Sequence, residues 1–466
     1  MRSWGLNAQL TSDAYALWSA CNGEVSCLVE NTFARLRRRA DLEILKLLRE
    51  NGVPWDECTC WGTALCGHLE ILLWARANGC PWYFQTCLTT AKGGHVEVLQ
   101  WARANGCPWD GEMPGETCSG AAFGGHLEVL QWARANGAPW DVTTSQEAAK
   151  YGQFDMLQWA HANGAPWDME TCAAAAQGGQ LRVLRWLRAN GCPWDKKTCA
   201  WAALDGKLDV LMWAHAHKCP WDEETCEHAA YGGHLRVLQW AHENGCPWNE
   251  KTCERAAKYG HLELLQWAHK NGCPWNEETC ACAAFSGHLE LLQWARANGC
   301  PCGTSTCSKA AEGGHLDMLQ WLHADGCPWD ELTCAEAAWG GYLQVLQWAC
   351  ADDCYWDDKT CQYSAQSGHL QVLQWARANG CPWDQLTCTF AARGGHLEVL
   401  KWARANGGPW NVTTCACAAT GGHLGVLQWL RANGCPWDAL RCQLALQNGH
   451  MEVFEWARIN GAMNVV

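Results

Sequence analysis

Proline returns at a fixed interval along this chain, and that interval dictates what the chain can fold into. Pro54, Pro81 and Pro108 are 27 residues apart. Pro139 follows after 31, and Pro166, Pro193, Pro220, Pro247, Pro274, Pro301 and Pro328 resume the spacing of 27. Tyr355 takes the next slot, Pro382, Pro409 and Pro436 the following three, and Met463 the last, so 14 of 16 slots hold proline. The long interval carries Gly111-Glu112-Met113-Pro114-Gly115, a four-residue insertion in a turn. A period of this size means one small unit copied many times and stacked on itself, with each copy touching only its neighbours. Composition agrees: 34 Trp beside 7 Phe and 8 Tyr, together with 33 Cys, is the bias of a repeated unit rather than of several ordinary domains.

The unit starting at Pro193 reads P-W-D-K-K-T-C-A-W-A-A-L-D-G-K-L-D-V-L-M-W-A-H-A-H-K-C. Asp195 is suited to cap a helix, with Thr198 three residues on. Cys199, Ala202 and Ala203 then form a small-residue stripe at helical spacing, and Gly206 ends the helix. Leu208, Val210, Leu211, Trp213 and Ala214 mark a second helix. In most units that helix closes at an Asn-Gly pair such as Asn190-Gly191, where glycine takes the left-handed conformation. Helices of about nine or ten residues do not persist alone in water, so they must pack on neighbouring units. At roughly 8–10 Å per packed helix, the array would run on the order of 150 Å.

The stretch G-H-L-E-V-L-Q-W-A-R-A-N-G at 125–137 resembles the second helix of an ankyrin repeat, and Ala121-Ala122 resembles the small pair of its first helix. The resemblance runs from about 32 to 462. It is strongest to the short, Trp- and Cys-rich ankyrin-type repeats of protists, algae and large DNA viruses. It implies an all-α solenoid of helix–turn–helix units. Two features depart from the family pattern: the period is 27 rather than 33, and the usual T-P-L-H is replaced by T-C-x-x, as at Thr225-Cys226. The shortfall lies where ankyrin repeats build a β-hairpin finger, so little or no strand is expected. About sixteen units are expected over 32–466, the last truncated, with 1–31 as a non-repeat cap.

Of the 33 cysteines, 25 sit in two repeated slots: 11 just before the proline position and 14 on the first helix. Zinc sites and disulfides compete with a packing role. Val53, Ala138, Ala165, Gly408 and Ala462 replace Cys in the loop slot, and Ser145 replaces it on the helix. Ala and Val fill space but bind no metal, and no C-x-x-C pair occurs, so packing is the preferred reading. The G-H slot holds His in 11 units, and Gln153, Gln180, Lys207 or Tyr342 in others. Side chains so varied suit a hydrogen bond across a turn, not a ligand row. The two Trp rows, after Pro (Trp194, Trp383) and on the second helix (Trp132, Trp402), are expected in the core, with each indole N–H bonded across a turn.

A net charge of −14 disfavours nucleic acid and anionic membranes. No apolar run is long enough to span a bilayer, and no secretion signal is evident at the N-terminus. An intracellular chain, cytoplasmic or nuclear, with reduced thiols is expected. The basic stretch at 33–39 suits a solvated cap face better than a nuclear signal. No phosphate-binding loop, nucleophile elbow or H-E-x-x-H motif is present. Cys and His recur periodically, whereas an active site needs a singular arrangement. No enzyme, cofactor or metal is expected. Function is sought in the slots that vary from unit to unit, one, two and five residues after the first-helix Cys. These lie off the small-residue stripe and are expected to face outward. The candidates for binding a protein partner are Trp201 and Leu204, His228 and Tyr231, Arg255 and Lys258, Phe285, Lys309, Glu336 and Trp339, Tyr363, and Phe390 and Arg393. The resemblance implies that such first-helix residues contribute to a binding groove. A monomeric scaffold for protein partners is the leading expectation. A ubiquitin-ligase substrate adaptor and a thiol-rich metal or redox buffer are the rivals.

Overall fold

The computed structural model describes Lys46, Arg49 and residues 57–111, 113–437 and 444–462. Segment 1–31 and the basic stretch at 33–39 lie outside them. The described residues form fifteen helix pairs and no strand, in two compact units, Met1–Cys246 and Pro247–Val466. The hairpin finger is thus absent from the described repeats, as the missing residues led us to expect. Nearly every helix has nine residues, as in the pair Lys196–Leu204 and Leu208–Ala216.

Each pair begins at a capped leading helix. Asp195 is extended, and its carboxylate accepts the N–H of Lys197 at 3.0 Å. Asp168, Asp222, Asn249, Asp330, Asp357 and Asp384 cap their own helices likewise, each cap contributing about 1 kcal/mol. Inside each compact unit, leading helices pack side by side on those of adjacent repeats, for example Lys196–Leu204 between Met169–Gln177 and Glu223–Tyr231. Cys and Ala on the leading helix and Val and Leu on the following helix make the core, as in Cys388, Ala391, Ala392, Val399 and Leu400.

The recurring R-A-N-G-C-P-W turn has a role for most of its letters. Arg431 donates to the Cys435 carbonyl at 2.9 Å and lays its guanidinium over the Trp437 ring, 4.3 Å from the centroid. Asn433 donates back to the Trp429 carbonyl at 2.8 Å. Gly434 is left-handed, with φ 78°. The Cys435 thiol donates to the Asn411 carbonyl at 3.5 Å, tying the end of the repeat to its start. The same thiol bond recurs from Cys192 to Asp168 and from Cys219 to Asp195. The loop Cys is therefore a weak donor as well as a filler. Where His replaces Arg, it stacks on the indole in its place, as His161 does on Trp167 at 3.7 Å. Most such Trp residues also meet the Trp of the next following helix edge-on, as Trp383 meets Trp402 at 6.0 Å. The Trp rows are half-buried at the rim of the core rather than inside it. The Ala- and Cys-lined interior brings the helices too close together to admit an indole.

The Gly-His turn is a joint between repeats. His423 donates from Nε2 to the Arg393 carbonyl at the end of the previous leading helix, at 3.0 Å, and His315 bonds Phe285 in the same way at 3.1 Å. The glycine before the His slot is left-handed in every described unit, with φ between 70° and 82°. Burial lowers the pKa of His95 and His396, against the raising effect of their bonds to the Leu65 and Gln366 carbonyls. The folded chain therefore favours the neutral rings. Their contribution to stability is complete above the unfolded value of about 6.5, and falls as pH drops through that value and the lower folded one. We expect a lower urea midpoint at pH 5.5 than at pH 7.5. Replacing His95 and His396 by Gln, which occupies this slot at Gln153 and Gln180, should flatten that difference.

Candidate partner-binding face

The side chains one, two and five residues after the leading-helix Cys divide into two groups. At the first position Ala200, Ala281, Ser308, Ala335, Gln362 and Thr389 are buried, at most 8% exposed, while Glu227 and Glu254 are half-buried. They face the neighbouring repeat, as when the Gln362 amide donates to the Asp384 cap at 3.2 Å. The expectation that all three positions face outward is corrected here. Stacked leading helices lie close enough to cover the first position. The second and fifth positions remain half-buried or exposed, and all thirteen candidate residues lie there.

In the first compact unit, Trp201 and Leu204 lie half-buried on Lys196–Leu204. Tyr231, 43% exposed, lies on Glu223–Tyr231 beside His228, whose Nδ1 bonds its own helix at the Glu224 carbonyl, 2.7 Å away. The same face carries an aromatic group left out of the sequence reading: Phe123 meets Tyr151 edge-on at 4.6 Å, with Lys92 over the Phe123 ring at 3.9 Å. Lys92 and Phe123 occupy the fifth position, so extending the slot rule to earlier repeats would have found them.

The second compact unit assembles more of the candidates. Trp339 and Tyr363 meet edge-on at 5.8 Å. Phe285 and Trp339 are 39% and 38% exposed, large for aromatic rings on an otherwise well-covered repeat. Phe390 is half-buried and Arg393 exposed on Gln385–Arg393. Lys309 pairs with Glu312 at 2.6 Å, a bond that raises its pKa, and its ammonium lies 5.9 Å from the Phe285 ring. Glu336 is held above the usual carboxylate range, first by burial and then by Glu312. Small Ala281 and Cys282 leave a hollow of about 250 Å³ between three successive leading helices, bordered by Lys258, Glu278, Phe285, Lys309 and Glu312. Arg255 stands on the same helix as Lys258, half-buried. Burial and the nearby Glu278 and Glu254 push the Cys282 thiol up to about 11, so the hollow offers no reactive thiolate. Among the described residues, no three His, Cys, Asp or Glu side chains are placed to hold a metal ion. No helix there is long and apolar enough to cross a membrane.

Capped helix pairs stacked through small residues, with a varied face on the leading helices, define an α-solenoid of helix-pair repeats. Residues 279–323 match the family model described as ankyrin repeats in many copies. No curated protein matches the chain. Solved structures to which the chain is similar include the ankyrin repeat domain of human ASB11, at 14% identity over 34% of this chain and 84% of that one, with a TM-score of 0.29. The pentatricopeptide repeat protein PPR10 from maize is similar at 15% identity over 93% and 77%, with a TM-score of 0.30. PPR10 in complex with an 18-nt psaJ RNA element gives 13%, 100% and 90%, with a TM-score of 0.33.

Proposed function

We propose that this chain is a non-enzymatic scaffold that holds a partner protein along the outward positions of its leading helices. The observation that carries this reading is the set of aromatic residues Phe285, Trp339, Tyr363 and Phe390 at outward positions of four leading helices, Trp339 and Tyr363 in contact, on repeats whose other slots are nearly uniform. Aromatic and arginine side chains dominate the energetics of protein interfaces. The alternating Lys258, Glu278, Lys309 and Glu312 around the hollow favour a polypeptide with both charge signs over a polyanion. The loop indoles do not offer a free stacking row for bases, because Arg or His covers one face of many of them. A substrate-adaptor role would rest on 1–31, outside the described residues.

The test replaces Trp339, Tyr363 and Phe390 together by Ala. Partners recovered by the wild-type chain are identified by quantitative mass spectrometry, and the leading partner's affinity is measured against both proteins. With helical content unchanged, the variant should bind at least ~100-fold more weakly, as loss of aromatic anchors worth about 2 kcal/mol or more each implies. Equal affinity would overturn the proposal.

A further inference from the structure

In most repeats the sulfur atoms are sealed. A leading-helix Cys and the Cys twenty residues later, such as Cys253 and Cys273, face each other in the core, and both are buried. One repeat departs at several positions together. Cys350 stands on the following helix where other repeats carry Arg or His, such as Arg377 and His323. Asp352-Asp353 replaces Asn-Gly, so a non-glycine residue, Asp353, holds the left-handed turn at φ 59°. Tyr355 replaces the proline that follows. Cys350 is half-buried, and its sulfur lies 4.0 Å from that of buried Cys334, which also contacts the Cys354 thiol. Three thiols thus converge where the periodic pattern supplies two, and the additional one belongs to the one residue of the three that is not fully buried.

We propose that Cys350 and Cys334 form a thiol–disulfide exchange site that takes small-molecule disulfides of the glutathione class. The site is independent of the partner-binding face. In the first step the Cys350 thiolate attacks a sulfur of RSSR. A Cys350–SR bond forms, the RS–SR bond breaks, and RS⁻ leaves, taking up the proton that Cys350 lost. In the second step the Cys334 sulfur attacks Cys350. The Cys334–Cys350 bond forms, the second RS group departs, and it leaves as RSH with the Cys334 proton. Two protein thiols are oxidised and one disulfide is reduced to two thiols. Cys334 does not start the exchange, since the adjacent Cys350 and Cys354 thiols and burial hold it protonated. Closing from 4.0 Å to a bonded distance of about 2.05 Å requires a swing of the Cys350 side chain, which sits one residue from its helix end at Ala351.

The experiment treats the reduced full-length chain with oxidised glutathione at pH 8, quenches with acid and maps disulfides by mass spectrometry. The Cys334–Cys350 link should form at least ten-fold faster than any link within a sealed pair such as Cys253–Cys273. Cys350→Arg, which restores the residue other repeats carry, should keep the helical content and abolish the link. Cys334→Ser, with the side chain Ser145 already places in that slot, should leave glutathione attached at Cys350. The proposal is overturned if the link forms no faster than in the sealed pairs. It is equally overturned if glutathione collects at half-exposed Cys302 instead of Cys350, or if Cys350 in the Cys334→Ser variant pairs with Cys354.

Discussion

Replacing Gly395 by Ala should destabilise the surrounding repeats by about 2–4 kcal/mol, although the change adds only a methyl group. Gly395 has φ 80°, a conformation that costs an L-residue roughly 1–2 kcal/mol. A Cβ there would also lie 2.6 Å from the His423 ring of the next repeat, so the ring must move. Moving it breaks the 3.0 Å bond to the Arg393 carbonyl, which contributes about 1 kcal/mol. Gly407 is an internal comparison: its φ is 85°, and no atom lies within 4 Å of a Cβ built on it. Gly407→Ala should therefore show the backbone cost alone. In the double variant Gly395→Ala/His423→Ala the steric part should vanish, giving a coupling of about 1–2 kcal/mol in the cycle. Native-state hydrogen exchange is the suitable measurement, because stability in a stack is a nearest-neighbour property and the loss should concentrate in the helices between 385 and 432. Equal effects of Gly395→Ala and Gly407→Ala would refute the joint between repeats.

Leu400→Ala should cost about 2–5 kcal/mol in the same measurement. Leu400 is fully buried among Cys388, Ala391, Ala392 and Leu427. These neighbours are mostly small, and short helices held by tight turns at both ends cannot slide in to fill the void. Cys388→Ala removes a single sulfur from the same core and should cost only about 1 kcal/mol, consistent with the natural Ser145 in that slot. A Leu400→Ala effect as small as that of Cys388→Ala would contradict a core centred on the following-helix leucines.

Much of the repeat was legible before any fold was known. Asp195, Gly206 and the Asn190-Gly191 type of ending mark helix boundaries through local hydrogen bonding and backbone conformation, and the helices start and stop at those marks. The hydrogen-bonding role of the His slot was legible as well, because Gln and Lys replace His there. Its reach was not: the bond runs to a carbonyl thirty residues back, from one repeat to the previous one. The Trp rows were placed too deep, since a count of apolar residues does not reveal how closely Ala-lined helices approach. The first varied position was likewise assigned to the surface, although Gln362 and Thr389 are covered by the next leading helix.

The amino-acid sequence by itself determined the unit, its length and its two capped helices, because caps, left-handed glycines and helical spacing act within a few residues. It also determined which positions vary from copy to copy. Only the tertiary structure decided which of those varied positions reach solvent, how Arg, Trp and His interlock at each turn, and where a third thiol meets a buried pair. Those outcomes depend on the distance and rotation between stacked helices, set by the packing of small side chains across repeats and not by any single repeat alone.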